Sequence, residues 1–342
     1  MFDENIRKYT SISSPDELRA KFPASKKGLD FVNKSKQEIK KILDSEDNRK
    51  IVIVGPCSIH DEDSAIDYAN RLKILSESVS DKILIVMRCY FEKPRTSIGW
   101  KGLISDPDLN NTFKMEKGLG IARKILCKIT DLGLGTATEF LDPIIPQYVS
   151  ELISWAAIGA RTVESQTHRQ LASGLSMPVG LKNATSGDVS VAINALISCG
   201  SPHSFLGITN SGQSCIVETK GNKYGHIILR GGKGTNYHKA EINELQEALV
   251  KKNLNKNVIV DCSHANSEKD YHKQKDVLKD VVSQIVEGNN GIVGVMLESH
   301  IEEGSQSIPE DLSNLKKGVS ITDSCIGWSE TERIIIEMYG KL

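Results

Sequence analysis

The chain has 342 residues, 39% of them hydrophobic and 25% charged, a soluble globular composition without the roughly 18-residue apolar run that a membrane span needs. Forty-three Lys and Arg against 44 Asp and Glu leave a net charge of -1, too little field to hold nucleic acid. The acidic opening M-F-D-E-N-I-R-K-Y-T lacks the basic-then-apolar order of an export signal, and seven scattered cysteines suit a reducing compartment, so the expected location is the cytoplasm.

Residues 28–43 carry Leu29, Val32, Ile39, Ile42 and Leu43 at helical spacing, predicting an amphipathic helix within an N-terminal extension, residues 1–48. Beyond it, short β-branched runs alternate with longer stretches of helical period. Strands are expected at 51–54, 83–87, 135–137, 160–163, 179–181, 226–229, 258–260 and 292–297. Helices are expected at 63–79, 111–131, 143–157, 167–175, 188–199, 239–252, 271–287 and 329–339. Eight strands alternating with eight helices is the count of a (β/α)8 TIM barrel, and an open doubly wound sheet is the alternative that shares the local pattern. A barrel needs about 250 residues, so residues 49–342 form one barrel domain with room for an insertion. That insertion is 204–220, where F-L-G-I-T and C-I-V-E-T flank N-S-G-Q and predict a β-hairpin between barrel strands five and six.

Several apolar runs end in a base. Arg88, Lys182 and Arg230 stand at strand ends, Arg161 follows Ala160 in the fourth run, and Lys93 and Arg95 follow the second strand in E-K-P-R-T. In a parallel barrel these positions share the C-terminal mouth, where catalytic groups gather. Six like charges crowded there would be costly unless anions offset them, which points to small ligands bearing more than one phosphate-sized group. A single base of this kind taken alone would be expected to reach solvent or pair with an acid.

The same rim carries Cys57 in V-G-P-C-S-I-H-D, His264 in D-C-S-H-A-N, Glu298 in V-M-L-E-S-H and Asp323 in S-I-T-D-S-C-I-G-W. One thiolate, one imidazole and two carboxylates suit a borderline divalent ion such as Mn, Fe, Co or Zn. Their separation along the chain matches no compact metal motif, and Cys262, Cys325, His60 and His300 compete for the role.

The motifs V-G-P-C-S-I-H-D, F-E-K-P-R-T-S-I-G-W-K-G-L-I-S-D-P-D-L-N, A-T-E-F-L-D, G-A-R-T-V-E-S-Q-T-H-R, V-G-L-K-N, H-I-I-L-R-G-G-K, D-C-S-H-A-N-S and S-I-T-D-S-C-I-G-W together resemble the class I 3-deoxy-D-arabino-heptulosonate 7-phosphate (DAHP) synthases over nearly the whole chain. The resemblance implies a metal-dependent barrel transferase that condenses phosphoenolpyruvate with erythrose 4-phosphate, the first step of the shikimate pathway. It implies that Cys57, His264, Glu298 and Asp323 hold one divalent ion, and that Arg88, Lys93, Arg161, Lys182 and Arg230 bind phosphoenolpyruvate. Erythrose 4-phosphate would fall to Lys93, Pro94, Arg95 and Thr96. Lys93, Lys182, His168 and Glu139 are the candidates for proton transfer, with structural support of the arginines as the other role for His168 and Glu139.

By the same resemblance the extension and hairpin build a homodimer or homotetramer and a site for an aromatic amino acid effector, lined by Pro146, Gln147, Ser176 and Gly207. Glycine in F-L-G-I-T leaves room for a ligand hydroxyl and favours tyrosine. A plug for the flank of the barrel is the simpler role for both segments. Two rival functions are a synthase using arabinose 5-phosphate and a catalytically silent barrel that senses an amino acid.

Overall fold

The computed structural model describes residues 3–342. Its strands are β1 (Lys50–Gly55), β2 (Ile83–Arg88), β3 (Gly135–Glu139), β4 (Trp155–Ile158), β5 (Val179–Lys182), β6 (Ser204–Ile208), β7 (Ser214–Glu218), β8 (Gly225–Leu229), β9 (Val258–Asp261) and β10 (Ile292–Glu298). Its helices are α1 (Pro15–Lys21), α2 (Lys26–Leu43), α3 (Glu62–Ser78), α4 (Met115–Leu132), α5 (Ile145–Val149), α6 (Gln166–Gly174), α7 (Ser190–Cys199), α8 (Lys239–Lys251), α9 (Gln274–Val286) and α10 (Trp328–Lys341).

Eight strands close in the order β1-β10-β9-β8-β5-β4-β3-β2, every pairing parallel. The fold is a (β/α)8 TIM barrel, and the open-sheet alternative is excluded by the β1–β10 seam. The strands are buried on both faces because helices cover the outside and side chains fill the inside. Inside, Ile53, Val86, Ala137, Trp155, Ala157, Ile228, Ile259 and Met296 form one cluster. Ile39, Ile42 and Leu43 of α2 join that cluster from below. Asn255 and Asn257 donate side-chain N–H groups to the Leu43 carbonyl, tying α2 to the foot of β9. Each of these aliphatic side chains contributes about 1.5–3 kcal/mol by burial. One end of the barrel is thereby closed, and the strand C-termini open at the other.

Residues 15–21 form a helix that the apolar periodicity did not signal. Its start is local chemistry: Ser14 and Glu17 make a reciprocal capping box, and Pro15 takes the first turn. The expected strand at 160–163 is corrected. The strand is Trp155–Ile158, and residues 160–163 form a turn in which the Gly159 carbonyl accepts the N–H groups of Thr162 and Val163. The expected helix at 143–157 shrinks accordingly to α5 and a 3-10 turn, Ser150–Leu152. The source of both errors is W-A-A-I, whose alanines extend a helical pattern although tertiary packing makes them strand.

β6 and β7 pair antiparallel as a two-stranded hairpin, inserted between the fifth and sixth barrel strands. Phe205, Gly207, Cys215 and Val217 lie on its half-buried face, while Leu206 and Ile216 are exposed on the other. The N-terminal segment reaches the hairpin through the Asp16 N–H, which donates to the Asn210 carbonyl at 2.9 Å.

Candidate active site

Five of the eight barrel strands end in a chargeable residue: Arg88 on β2, Glu139 on β3, Lys182 on β5, Asp261 on β9 and Glu298 on β10. Parallel closure brings all five to one mouth, and Arg88, Glu139, Lys182 and Glu298 line a cavity of about 570 Å3 there. Lys93, Pro94, Arg95, Thr96, Arg161, Arg230, His264 and Asp323 also line it. The barrel therefore collects the sequence-expected phosphate and sugar groups in one place. Gly159 is required there because a Cβ would sit 2.2 Å from Glu139 Oε1.

The six bases differ in their partners. Arg88 is buried, with Nη2 2.9 Å from Glu298 Oε1 and its guanidinium 3.9 Å from the centre of the Tyr90 ring. Lys182 Nζ lies 3.3 Å from Asp261 Oδ2 and 3.8 Å from Glu139 Oε2. Lys93 Nζ donates to the Cys57 carbonyl at 2.9 Å and meets Cys57 Sγ at 3.1 Å. Arg95, Arg161 and Arg230 have no ion pair among the described residues. Of the six bases, acids two strands away around the ring neutralise two, Arg88 and Lys182, and Lys93 rests on Cys57, so the count of uncompensated bases is corrected to three. Three free guanidiniums still converge on the cavity, and that arrangement asks for anions.

The donor groups of Cys57, Glu298 and Asp323 lie within 4.8 Å of one another. His264 stands at their edge, Nε2 being 3.7 Å from Glu298 Oε1 and Nδ1 2.9 Å from Asp261 Oδ2, without the alignment of a hydrogen bond in the latter contact. Its backbone is left-handed at φ 58, an uncommon state for a non-glycine residue that turns the imidazole inward. Burial pushes the Cys57 thiol up to about 11, and Glu298 adds to the effect. Burial alone would raise Glu298 too, but His264, Arg88 and Lys93 hold it down at about 2. A thiol and two carboxylates gathered this tightly repel one another as anions, so the donor set fits a divalent cation, which would draw the thiolate out.

Cys325, Cys262, His60 and His300 stay out of that group. Cys325 Sγ accepts the Cys57 backbone N–H at 3.4 Å from behind, and Cys262 lies in the layer between strands and helices. His60 and His300 pack on each other with ring centres 6.2 Å apart. His168 does not line the cavity. Its Nε2 donates to the Leu141 carbonyl at 2.7 Å and its Nδ1 meets Ser165 Oγ at 3.0 Å, so both ring nitrogens are occupied.

Asp261 and Tyr90 escaped the sequence reading. Asp261 closes the run V-I-V-D as Glu298 closes V-M-L-E, but nothing in that run signals a partner for it. It now bridges Lys182 and His264, and those two charges hold it far below the usual carboxylate range against the effect of burial. Tyr90 follows a strand in a run of buried aromatics, a pattern indistinguishable from core.

The model of the DAHP synthetase I family matches residues 22–335. The chain belongs to the DAHP synthetase I family. It is 49% identical over 331 residues to the Tyr-sensitive phospho-2-dehydro-3-deoxyheptonate aldolase of Escherichia coli K12, covering 97% of this chain and 93% of that one. It is 51% identical over 336 residues to the Phe-sensitive enzyme of the same organism, covering 98% and 96%. A solved phospho-2-dehydro-3-deoxyheptonate aldolase from Francisella tularensis SCHU S4 superposes with a TM-score of 0.96 at 48% identity, over 98% of both chains. As a DAHP synthetase family member the chain is an enzyme, and the barrel mouth is where this fold performs chemistry.

Proposed function

We propose that this enzyme condenses phosphoenolpyruvate with erythrose 4-phosphate and water, giving DAHP and inorganic phosphate, the entry step of the shikimate pathway. The carrying observation is the cavity itself, where three arginines without ion pairs face a thiol-carboxylate-imidazole cluster. Arg161 and Arg230 grip the phosphate of phosphoenolpyruvate, and Arg88 and Lys182 set its carboxylate. Arg95, with Pro94 and Thr96, takes the phosphate of the sugar, and Lys93 lies between the two substrates.

Carbon 3 of the enol attacks the aldehyde carbon, forming the new C–C bond, and the aldehyde oxygen takes up a proton. Water adds at carbon 2 and gives up a proton. The hemiketal phosphate then breaks its C–O bond and releases phosphate, so the arginines position and neutralise that group without accepting it. A divalent ion (Mn, Fe, Co or Zn) held by Cys57, His264, Glu298 and Asp323 supplies Lewis-acid polarisation of the aldehyde when bound. Lys182, between Glu139 and Asp261, and Lys93, against Cys57, are placed to move the protons. With both its nitrogens engaged, His168 supports the mouth and transfers no proton.

The experiment is phosphate release with both substrates present. Turnover with erythrose 4-phosphate should exceed that with arabinose 5-phosphate by about a hundredfold, the order of discrimination that one added substrate group supports. Equal turnover would favour the longer-sugar synthase, and no release would favour a silent sensor.

Residues 1–48 and the hairpin are read as the part that assembles the oligomer and regulates it, leaving residues 49–342 for catalysis. Exposed Leu206 and Ile216 on the hairpin, with Ile6, Tyr9 and Ile12 in the extension, are apolar surface of the kind a homodimer or homotetramer buries. The aromatic effector is placed near Pro146 and Gln147 of α5, Ser176 and Gly207. Arg19 of α1 donates to the Gln147 carbonyl at 2.6 Å, joining extension and α5 there. A Cβ on Gly207 would stand 2.7 Å from Val217 Cγ2, so packing also favours glycine. Relatives sensitive to tyrosine and to phenylalanine match almost equally, and Gly207 carries the preference for tyrosine. Tyrosine should inhibit at concentrations where phenylalanine does not; the reverse order would refute the assignment. Seven unpaired cysteines and the absence of any helix long and apolar enough to cross a membrane among the described residues agree with the cytoplasm.

A further inference from the structure

Glu92 is buried in the wall of the mouth and belongs to none of the groups used above. Its Oε1 accepts the Asp142 N–H at 3.0 Å and its Oε2 accepts the Leu141 N–H at 3.3 Å. No cation pairs with it among the described residues. Burial, reinforced by Asp142 and Glu139, pushes its carboxyl up to about 8 against the pull of the two N–H donors. A buried acid without a counter-ion weakens a fold, so packing gives no reason for it.

Its partners explain it better. Leu141, whose N–H it binds, is held from the other side by His168, which rests in turn on Ser165. Three loops therefore meet at residues 141–142: the one after β2 with Glu92, the one after β3, and the one after β4 with Ser165. A group facing the cavity belongs to each loop or to the strand end it leaves, namely Lys93 and Arg95, Glu139, and Arg161. A second link joins the first and third loops at the rim, where Arg161 Nη2 donates to Thr96 Oγ1 at 3.3 Å.

Between Glu92 and Arg95 the chain has little slack. Pro94 has a fixed φ and confines Lys93 to extended backbone, while the Lys93 ammonium is anchored on Cys57. A shift at Glu92 is therefore passed on to Arg95.

We propose that Glu92 is a positioning residue that sets the span between Arg95 and the reacting end of the cavity, and thereby selects the length of aldose phosphate accepted. The inference rests on Arg95 holding the phosphate of a four-carbon sugar. One extra carbon lengthens a substrate by about 1.5 Å, and a 1 Å misplacement costs on the order of a hundredfold in rate, so a tether of this kind is sufficient as a ruler.

The test is kinetic, on Glu92→Gln and Glu92→Ala of the full chain, with erythrose 4-phosphate and arabinose 5-phosphate compared at saturating phosphoenolpyruvate. The KM for erythrose 4-phosphate should rise about tenfold or more while that for phosphoenolpyruvate stays within about twofold. The preference for the shorter aldose should narrow. Gln should be milder than Ala, because it keeps one acceptor for the two N–H groups. Unchanged aldose preference, equal rises in both KM values, or loss of folding in both variants would overturn the proposal. Wild-type protein that turns over neither aldose would instead remove the sugar-phosphate reading beneath it, a failure visible before any substitution is made.

Discussion

Cys57→Ala should lower kcat by about a thousandfold or more, because under the proposed mechanism it removes a metal ligand and forfeits several kcal/mol of Lewis-acid stabilisation. Cys57 is the thiol of the three-donor cluster, and no other thiol can take its place. Cys325 is buried behind the Cys57 backbone, and moving it forward would break the turn after β1. The substitution removes one sulfur from a packed position, at a cost of about 1 kcal/mol, so the melting temperature should fall by only a few degrees. Chelation of the wild type should reproduce the loss, and Mn(II) should restore the wild type but not the variant. Near-normal turnover of Cys57→Ala would take it out of the cluster.

Arg230→Ala should raise the KM for phosphoenolpyruvate roughly 10- to 100-fold, the worth of charge-assisted hydrogen bonds to a phosphate. The KM for erythrose 4-phosphate should barely change. The substitution is clean, because the Arg230 main chain is held independently: its N–H donates to Asn183 Oδ1 at 2.8 Å, and Asn183 is held in turn by Gly231 and Asn236. Among the described residues the guanidinium has no ion pair whose loss would leave a buried acid uncompensated. Equal effects on both substrates would show that the group shapes the mouth and does not grip one ligand.

What was legible in the sequence follows from what a linear pattern records. Runs such as I-V-I-V and I-L-I-V-M announce strands because a parallel sheet buries both faces, and the base that ends a run stands out against that background. Arg88, Lys182 and Arg230 were found in this way. Arg161 was also found, although its strand was misplaced: W-A-A-I ends at Ile158, and the arginine follows in a turn. Acids at the same positions carry an equally plain signal, yet Asp261 was passed over because nothing in one dimension says that it lies between Lys182 and His264. Pairing was the larger omission. Whether a base is free or neutralised depends on the order of strands around the ring, and only its closure sets Glu298 of β10 beside Arg88 of β2, across β1. Glu92 was invisible for a related reason, since its partners are backbone N–H groups about 50 residues away, and backbone groups have no sequence signature.

The central claim is that one metal ion and two phosphorylated substrates share the mouth of the barrel. The most direct measurement is an anomalous difference map from crystals grown with Mn(II) and phosphoenolpyruvate. The account predicts a single strong peak within about 2.0–2.5 Å of the donor atoms of Cys57, His264, Glu298 and Asp323, with the phosphate on Arg161 and Arg230. A peak bound elsewhere, or a phosphate that leaves both arginines in solvent, would contradict it.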